Sequence, residues 1–216
     1  MRILAVDTTS EFGSLAVRAE GRTTAEMTLH SPEGFAHRIF GAIEELLGRA
    51  ELRLEEIDCF AAASGPGSFT GVRVGLAAVK GLAEAMGKRA AGVSNLQALA
   101  WFGRLPRRAV ILDARRGQVY AAVYNAELEP VLEETVLAFE AWLGSLAAGE
   151  YEFIAEAKWR ERLAGTRFET MPFVEPPQAL AAAIAYCAER NAGLDPAAID
   201  ANYVRRSDAE LFWKES

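Results

Sequence analysis

Apolar runs of strand length open the chain. Residues 2 to 7 and 14 to 19 flank the polar turn Asp7-Thr8-Thr9-Ser10-Glu11-Phe12-Gly13, and a third run near Thr23 to Leu29 completes a predicted β-meander. After Ser31-Pro32 the period changes. Phe35 to Ala50 sets Phe35, Ile39, Ala42, Ile43 and Leu46 on one side and Arg38, Glu44, Glu45 and Arg49 on the other, which predicts an amphipathic helix. Ile57 to Ala63 reads as a buried strand and Gly71 to Met86 as a second helix. Arg89 to Val93 is a short strand, followed by a helix starting near Ser94 or Asn95.

Between the buried strand and the second helix lies Ser64-Gly65-Pro66-Gly67-Ser68-Phe69-Thr70-Gly71-Val72-Arg73-Val74-Gly75. Gly65 and Gly67 can take positive φ, Pro66 fixes its own φ, and Ser68 or Thr70 can cap the first helical turn. Strand, glycine turn and helix N-terminus can cradle an anion. The same glycines can equally serve close packing of helix on sheet. No Gly-Lys-Ser/Thr follows, so this is not a P-loop, and Pro66 and Thr70 stand where a nucleophile elbow around Ser68 needs glycine.

The second helix has an unusually wide apolar arc, because Arg73, Lys80 and Glu84 share one narrow stripe. One sheet cannot cover it. Val74, Ala78, Gly81 and Ala85 form a small-residue side suited to close approach, and Val72, Leu76, Val79 and Ala83 form a bulkier side needing a further neighbour. That neighbour is either the first helix or another protein.

At Gly103-Arg104-Leu105-Pro106-Arg107-Arg108 a boundary is expected, and beyond it the opening pattern returns. Val110-Ile111-Leu112-Asp113, the turn Ala114-Arg115-Arg116-Gly117 and the strand Gln118 to Tyr124 repeat the arrangement of Ile3 to Asp7, Gly13 and Ser14 to Val17. Two related lobes follow, 1–103 and 104–216. In the second, helices are expected near Ala138 to Ala147, Lys158 to Leu163 and Ala179 to Arg190, and a strand around Phe153 to Ala155. The prolines of Met171 to Pro177 require an extended or looped segment. Asp195-Pro196-Ala197 begins a last stretch through Tyr203-Val204-Arg205-Arg206, and the tail residues Leu211, Phe212 and Trp213 must dock somewhere.

Composition narrows the partners. Of 216 residues about half are hydrophobic, and the net charge is −7, so unaided binding of long nucleic acid is disfavoured. Arg104, Arg107, Arg108, Arg115 and Arg116 then read as solvated surface. The first residues lack a signal-peptide shape, no run is long enough to span a bilayer, and Cys59 and Cys187 form no CxxC pair, which together predict a cytoplasmic protein.

The Asp7-Thr8-Thr9 start, the Gly65 to Gly75 run, the Val93-Ser94 step, Asp113-Ala114-Arg115 with Val119-Tyr120, and Tyr203-Val204-Arg205 resemble the TsaB (YeaZ) family nearly end to end. This resemblance implies α/β architecture with two ribonuclease-H-like lobes of the actin, sugar-kinase and Hsp70 (ASKHA) class, the second reduced. It implies an accessory subunit in tRNA threonylcarbamoyladenosine synthesis. The catalytic partner would be a TsaD-like subunit, which modifies the adenosine beside the anticodon of tRNAs reading codons that begin with adenine. A TsaE-like ATPase would join them, tRNA would be met only through the complex, and a homodimer is an option for the chain alone. Pairing through first-lobe helices would use Val72, Leu76, Val79 and Ala83, with Ile39 and Ile43 from the first helix. The chain departs from the family at Phe35 and Ala36, where members often carry histidine and serine.

An ATPase of this class needs phosphate loops in both lobes. Asp7, Thr8 and Thr9 could serve as the first, but Asp113 is followed by Ala114 and Arg115 where close backbone approach favours glycine, and Gly-Gly is absent from the chain. A vestigial loop and weak or absent nucleotide turnover are expected, with no resident cofactor; nucleotide at an interface shared with TsaD stays open. The alternative is an ATP-binding kinase or ATPase of the ASKHA class. His30 and His37 are separated by Ser31-Pro32 and, even on one helix, would stand roughly 10 Å apart, too far to share a metal. No nucleophile, base and orienting acid assemble into a peptidase, so no catalytic or metal residues are expected.

Overall fold

Two five-stranded sheets carry the same strand order in a computed structural model that describes residues 1–191 and 193–204. In the first, β1 (Ile3–Asp7), β2 (Phe12–Ala19) and β3 (Arg22–His30) form an antiparallel meander, and β4 (Cys59–Gly65) and β5 (Arg89–Ser94) extend it in parallel, giving the order β3-β2-β1-β4-β5. In the second, β6 (Arg108–Asp113), β7 (Gln118–Tyr124) and β8 (Pro130–Ala138) form the meander, with β9 (Glu152–Ile154) and β10 (Phe173–Val174) parallel beyond β6. Strands β1 and β6 hold the same place, and each ends in an aspartate. The repeated α/β topology gives the two related lobes that the repeat predicts, with the two-lobed arrangement that the resemblance implies.

Helices α1 (Ile39–Arg49), α2 (Phe69–Met86) and α3 (Asn95–Ala100) belong to the first half, and α4 (Phe139–Ser145), α5 (Ala157–Leu163) and α6 (Ala181–Arg190) to the second. The second lobe is reduced: α5 has 7 residues where α2 has 18, and β10 has 2. Strand β8 has no counterpart in the sequence reading. It is a sheet edge whose residues are half-buried or exposed on both faces, so Pro130, Glu133 and Glu134 interrupt any alternation.

The chain divides into one unit of residues 1–98 with 177–202 and another that includes residues 99–176. The division expected at 103/104 differs because α6 returns to the first sheet and packs on β1, β2, β4 and β5. This explains why β1 and β4 are buried along their whole length: alternate side chains face α6 on one side and α1 and α2 on the other. Helix α6 has no side-chain cap of its own. Ser14 of β2 supplies one, its Oγ accepting from the amides of Leu180 (3.1 Å) and Ala181 (3.0 Å), and the Glu26 carboxylate of β3 accepts from Ala182. At the far end Arg18 donates to Glu189 (2.8 Å) and lies over the Tyr186 ring. The return continues through a 3-10 turn at Pro196–Ala198, buries Ile199 and ties Asn202 N to Ser64 O (2.8 Å). Arg205, Arg206 and the Leu211, Phe212 and Trp213 tail lie outside the described residues.

This return supplies a neighbour that the wide arc of α2 requires. Ile39, Ile43, Val72, Leu76, Val79 and Ala83, expected as partner-interface residues, are all buried in the first lobe's own core, with Val79 and Ala83 at 0% exposure. Sheet residues, α1, Ile199 and Ala201 share that core with them. Their expected role is therefore corrected to packing.

Candidate functional site

The turn after β1 and the glycine turn after β4 are folded into each other. Thr8 Oγ1 donates to Gly71 O (2.7 Å), and Ser68 N donates to Thr9 O (2.7 Å). A Cβ on Gly71 would overlap the Thr8 carbonyl, one on Gly67 would stand 2.7 Å from Thr9 Cβ, and one on Gly75 2.7 Å from Thr8 Oγ1. Contact thus excludes a side chain at these three positions. Gly65 alone in this turn has positive φ, at 104°; Gly67 does not use that freedom and serves the close packing that these glycines also allow. Pro66 is buried, and Thr70 is exposed on the first turn of α2. Of the two candidate caps Ser68 acts, its Oγ accepting from Gly71 N (3.2 Å).

Asn95, which sequence reasoning missed, locks the pair of turns. Its side chain donates to Thr9 Oγ1 (2.6 Å) and accepts from Gly65 N (3.0 Å). The signal was an amide side chain at the first position of α3, directly after the Val93-Ser94 step. Thr9 in turn gives both its amide (2.9 Å) and its hydroxyl (2.6 Å) to Asp7 Oδ1. Burial pushes the Asp7 carboxyl up, and the two Thr9 hydrogen bonds only partly oppose this. At this helix end the Ser68 and Gly71 amides and the Thr8 and Thr9 hydroxyls bond to the protein itself.

In the second lobe the corresponding aspartate is partly open. Asp113 accepts from Lys158 Nζ (2.7 Å) and from Arg115 N (2.7 Å). Partial burial acts to raise its carboxyl, but these hydrogen bonds outweigh it and hold the carboxyl below the usual range. The turn Arg115-Arg116-Gly117 has φ of 63°, 53° and 74°, the left-handed conformation that glycine adopts most easily.

His30 stacks on Phe12 (4.6 Å between centroids) and His37 is exposed before α1. Among the described residues no three His, Cys, Asp or Glu side chains group to hold a metal ion. Both thiols are buried, and burial pushes Cys59 up to about 11 and Cys187 up to about 12.

A different face of α2 is presented outward. Phe69 is 52% exposed beneath the Arg73 guanidinium (3.7 Å), and Ala77, Gly81 and Ala85 continue the exposed side with half-buried Val74. The small-residue side thus faces out and the bulky side faces in, packing with the first helix as one of the two expected neighbours and not presented to a partner as the resemblance implies; Ala78 alone of the small set is buried. On α1, Phe40 is 57% exposed.

Against this geometry, the family model described as TsaD, tRNA N6-adenosine threonylcarbamoyltransferase, matches residues 30–195. The chain belongs to this family. Within it the similarity is to TsaB proteins: 28% identity with TsaB of Bacillus subtilis over 100% of this chain and 99% of that protein. TsaB of Escherichia coli is 37% identical over 59% of this chain and 56% of that protein. A solved structure of YeaZ from Pseudomonas aeruginosa superposes with a TM-score of 0.76 at 26% identity, covering 94% of this chain and 99% of that one. This is the TsaB (YeaZ) branch. Its fold accounts for the departure at Phe35: that ring is buried against Gly13, where an added Cβ would stand 2.7 Å away, while Ala36 is exposed.

Proposed function

We propose that this chain is the non-catalytic scaffold subunit of a cytoplasmic complex that forms threonylcarbamoyladenosine next to the anticodon of tRNA. It binds and supports a TsaD-like catalytic subunit, a TsaE-like ATPase joins them, and tRNA is engaged through the assembly. The observation that carries the non-catalytic reading is the self-filled glycine turn. Thr8 and Thr9 occupy the space over Gly67, Gly71 and Gly75, and Asp113 is engaged by Lys158. Among the described residues no helix is long and apolar enough to cross a membrane.

The surface for the partner is the outward side of α2, Ala77, Gly81 and Ala85, together with Phe40 of α1. Small residues allow close helix approach, and apolar exposure favours burial. The same face pairs two copies when the partner is absent. Ala77→Glu or Gly81→Glu, each at an exposed position, should abolish co-elution with TsaD while leaving the melting temperature of the free subunit within a few degrees. Retained co-elution rejects this surface. Calorimetric titration with Mg-ATP tests the other half: micromolar binding to the free subunit with measurable hydrolysis overturns the non-catalytic role.

A further inference from the structure

The turn joining β6 and β7 has two features that the scaffold role leaves unused. Arg115 and Arg116 are consecutive, exposed and held at positive φ, directly before a glycine. The turn is pinned by backbone bonds Ala114 N to Gln118 O (3.0 Å) and Gln118 N to Arg115 O (3.0 Å), and by the Asp113 carboxylate on Arg115 N. Left-handed backbone favours glycine, and these two positions carry the longest cationic side chain instead.

The surrounding charge is arranged to match. Lys158 Nζ sits 2.7 Å from Asp113 and 2.9 Å from Glu156, so two carboxylates beside the turn are ion-paired to lysine. Neither Arg115 nor Arg116 forms an ion pair among the described residues. A hairpin tip held by backbone hydrogen bonds, with two exposed guanidiniums outside any ion pair, therefore stands on a chain of net charge −7, although Arg115 still interacts with the Asp113 carboxylate. Guanidinium forks bind phosphate oxygens in pairs.

We propose that the Arg115-Arg116 turn is a backbone-phosphate contact for RNA, used when the assembled complex holds its tRNA. This rests on the function proposed above. The contact positions the nucleic acid and carries no base specificity.

The test uses the complex reconstituted with TsaD and TsaE and a tRNA with the target adenosine beside its anticodon. Arg115→Gly with Arg116→Gly removes both charges where glycine is conformationally at ease, and Arg115→Lys with Arg116→Lys keeps them. The glycine pair should bind tRNA about tenfold more weakly at moderate salt and flatten the slope of log affinity against log salt by about 1.5; the lysine pair should restore most of both. Normal assembly with unchanged tRNA affinity and slope overturns the proposal. So does loss of TsaD or TsaE from the glycine variant, which would make the turn a protein contact. If the parent chain itself fails to assemble with TsaD, the scaffold reading fails first and this contact falls with it.

Discussion

Single atoms decide the character of the glycine turn. Gly71→Ala would drive a Cβ into the Thr8 carbonyl, a backbone atom that cannot rotate away, and should destabilise the protein by about 3 kcal/mol. Gly81→Ala, in open space on the same helix, should instead stabilise it by about 0.5–1 kcal/mol. Urea midpoints read both, and equal effects would deny the close approach. Asp7 and Asp113 make opposite contributions to pH dependence. Asp7 has its carboxyl raised in the fold, so its folded form prefers the proton. Its contribution is greatest below the ordinary aspartate range, declines as pH rises through the window up to the raised value, and is constant above. Asp113 is lowered, so its stabilisation is present above the ordinary range and is lost as pH falls through the lowered value. Asp7→Asn keeps an acceptor for Thr9 and should be more stable than the parent at neutral pH; chemical denaturation across pH 3 to 8, about the carboxylate range, checks the sign.

Helix α6 shows what one element can owe to distant residues. Its first amides lean on Ser14, more than 160 positions earlier, so Ser14→Ala strands two buried donors and should lose about 1–3 kcal/mol. Cys59 of β4 and Cys187 of α6 offer a second check. Both thiols are buried and held protonated, so a thiol reagent should meet neither in the native protein. Because α6 completes the first sheet, both should become reactive in one transition; separate transitions would return α6 to the second lobe. The sequence announced α6 as a helix through its alanine-rich run, and announced both meanders through strand-length apolar segments ending in aspartate. It did not disclose which sheet α6 serves. The same gap left the cover of α2 open between the first helix and a partner, and its bulky side found both the first helix and Ile199, over 100 residues later, in one core. Periodicity reports that a face is covered, and local spacing contains nothing about what covers it. The glycine turn was legible as a turn, but Asn95, Thr8 and Thr9 meet only once strands β1, β4 and β5 lie side by side.

For the molecule as a whole, the chain leaves its first unit after residue 98 and re-enters it at 177. Residues 99–176 thus lie between two stretches of the first unit and have their own aromatic core around Phe139, Trp142, Phe153 and Phe168. A protein ending at residue 176 should therefore lose the cooperative unfolding of the first unit and keep that of residues 99–176; differential scanning calorimetry separates the two. The re-entry also sets an order of events on the ribosome. Residues 1–98 emerge first, yet their sheet stays open on one face until α6 and the strap to Asn202 have been synthesised. Residues 99–176, made later, hold all five strands of the second sheet before that point. The half of the molecule born first is finished last, and during that interval the nascent chain presents an apolar sheet face open to aggregation or chaperone capture.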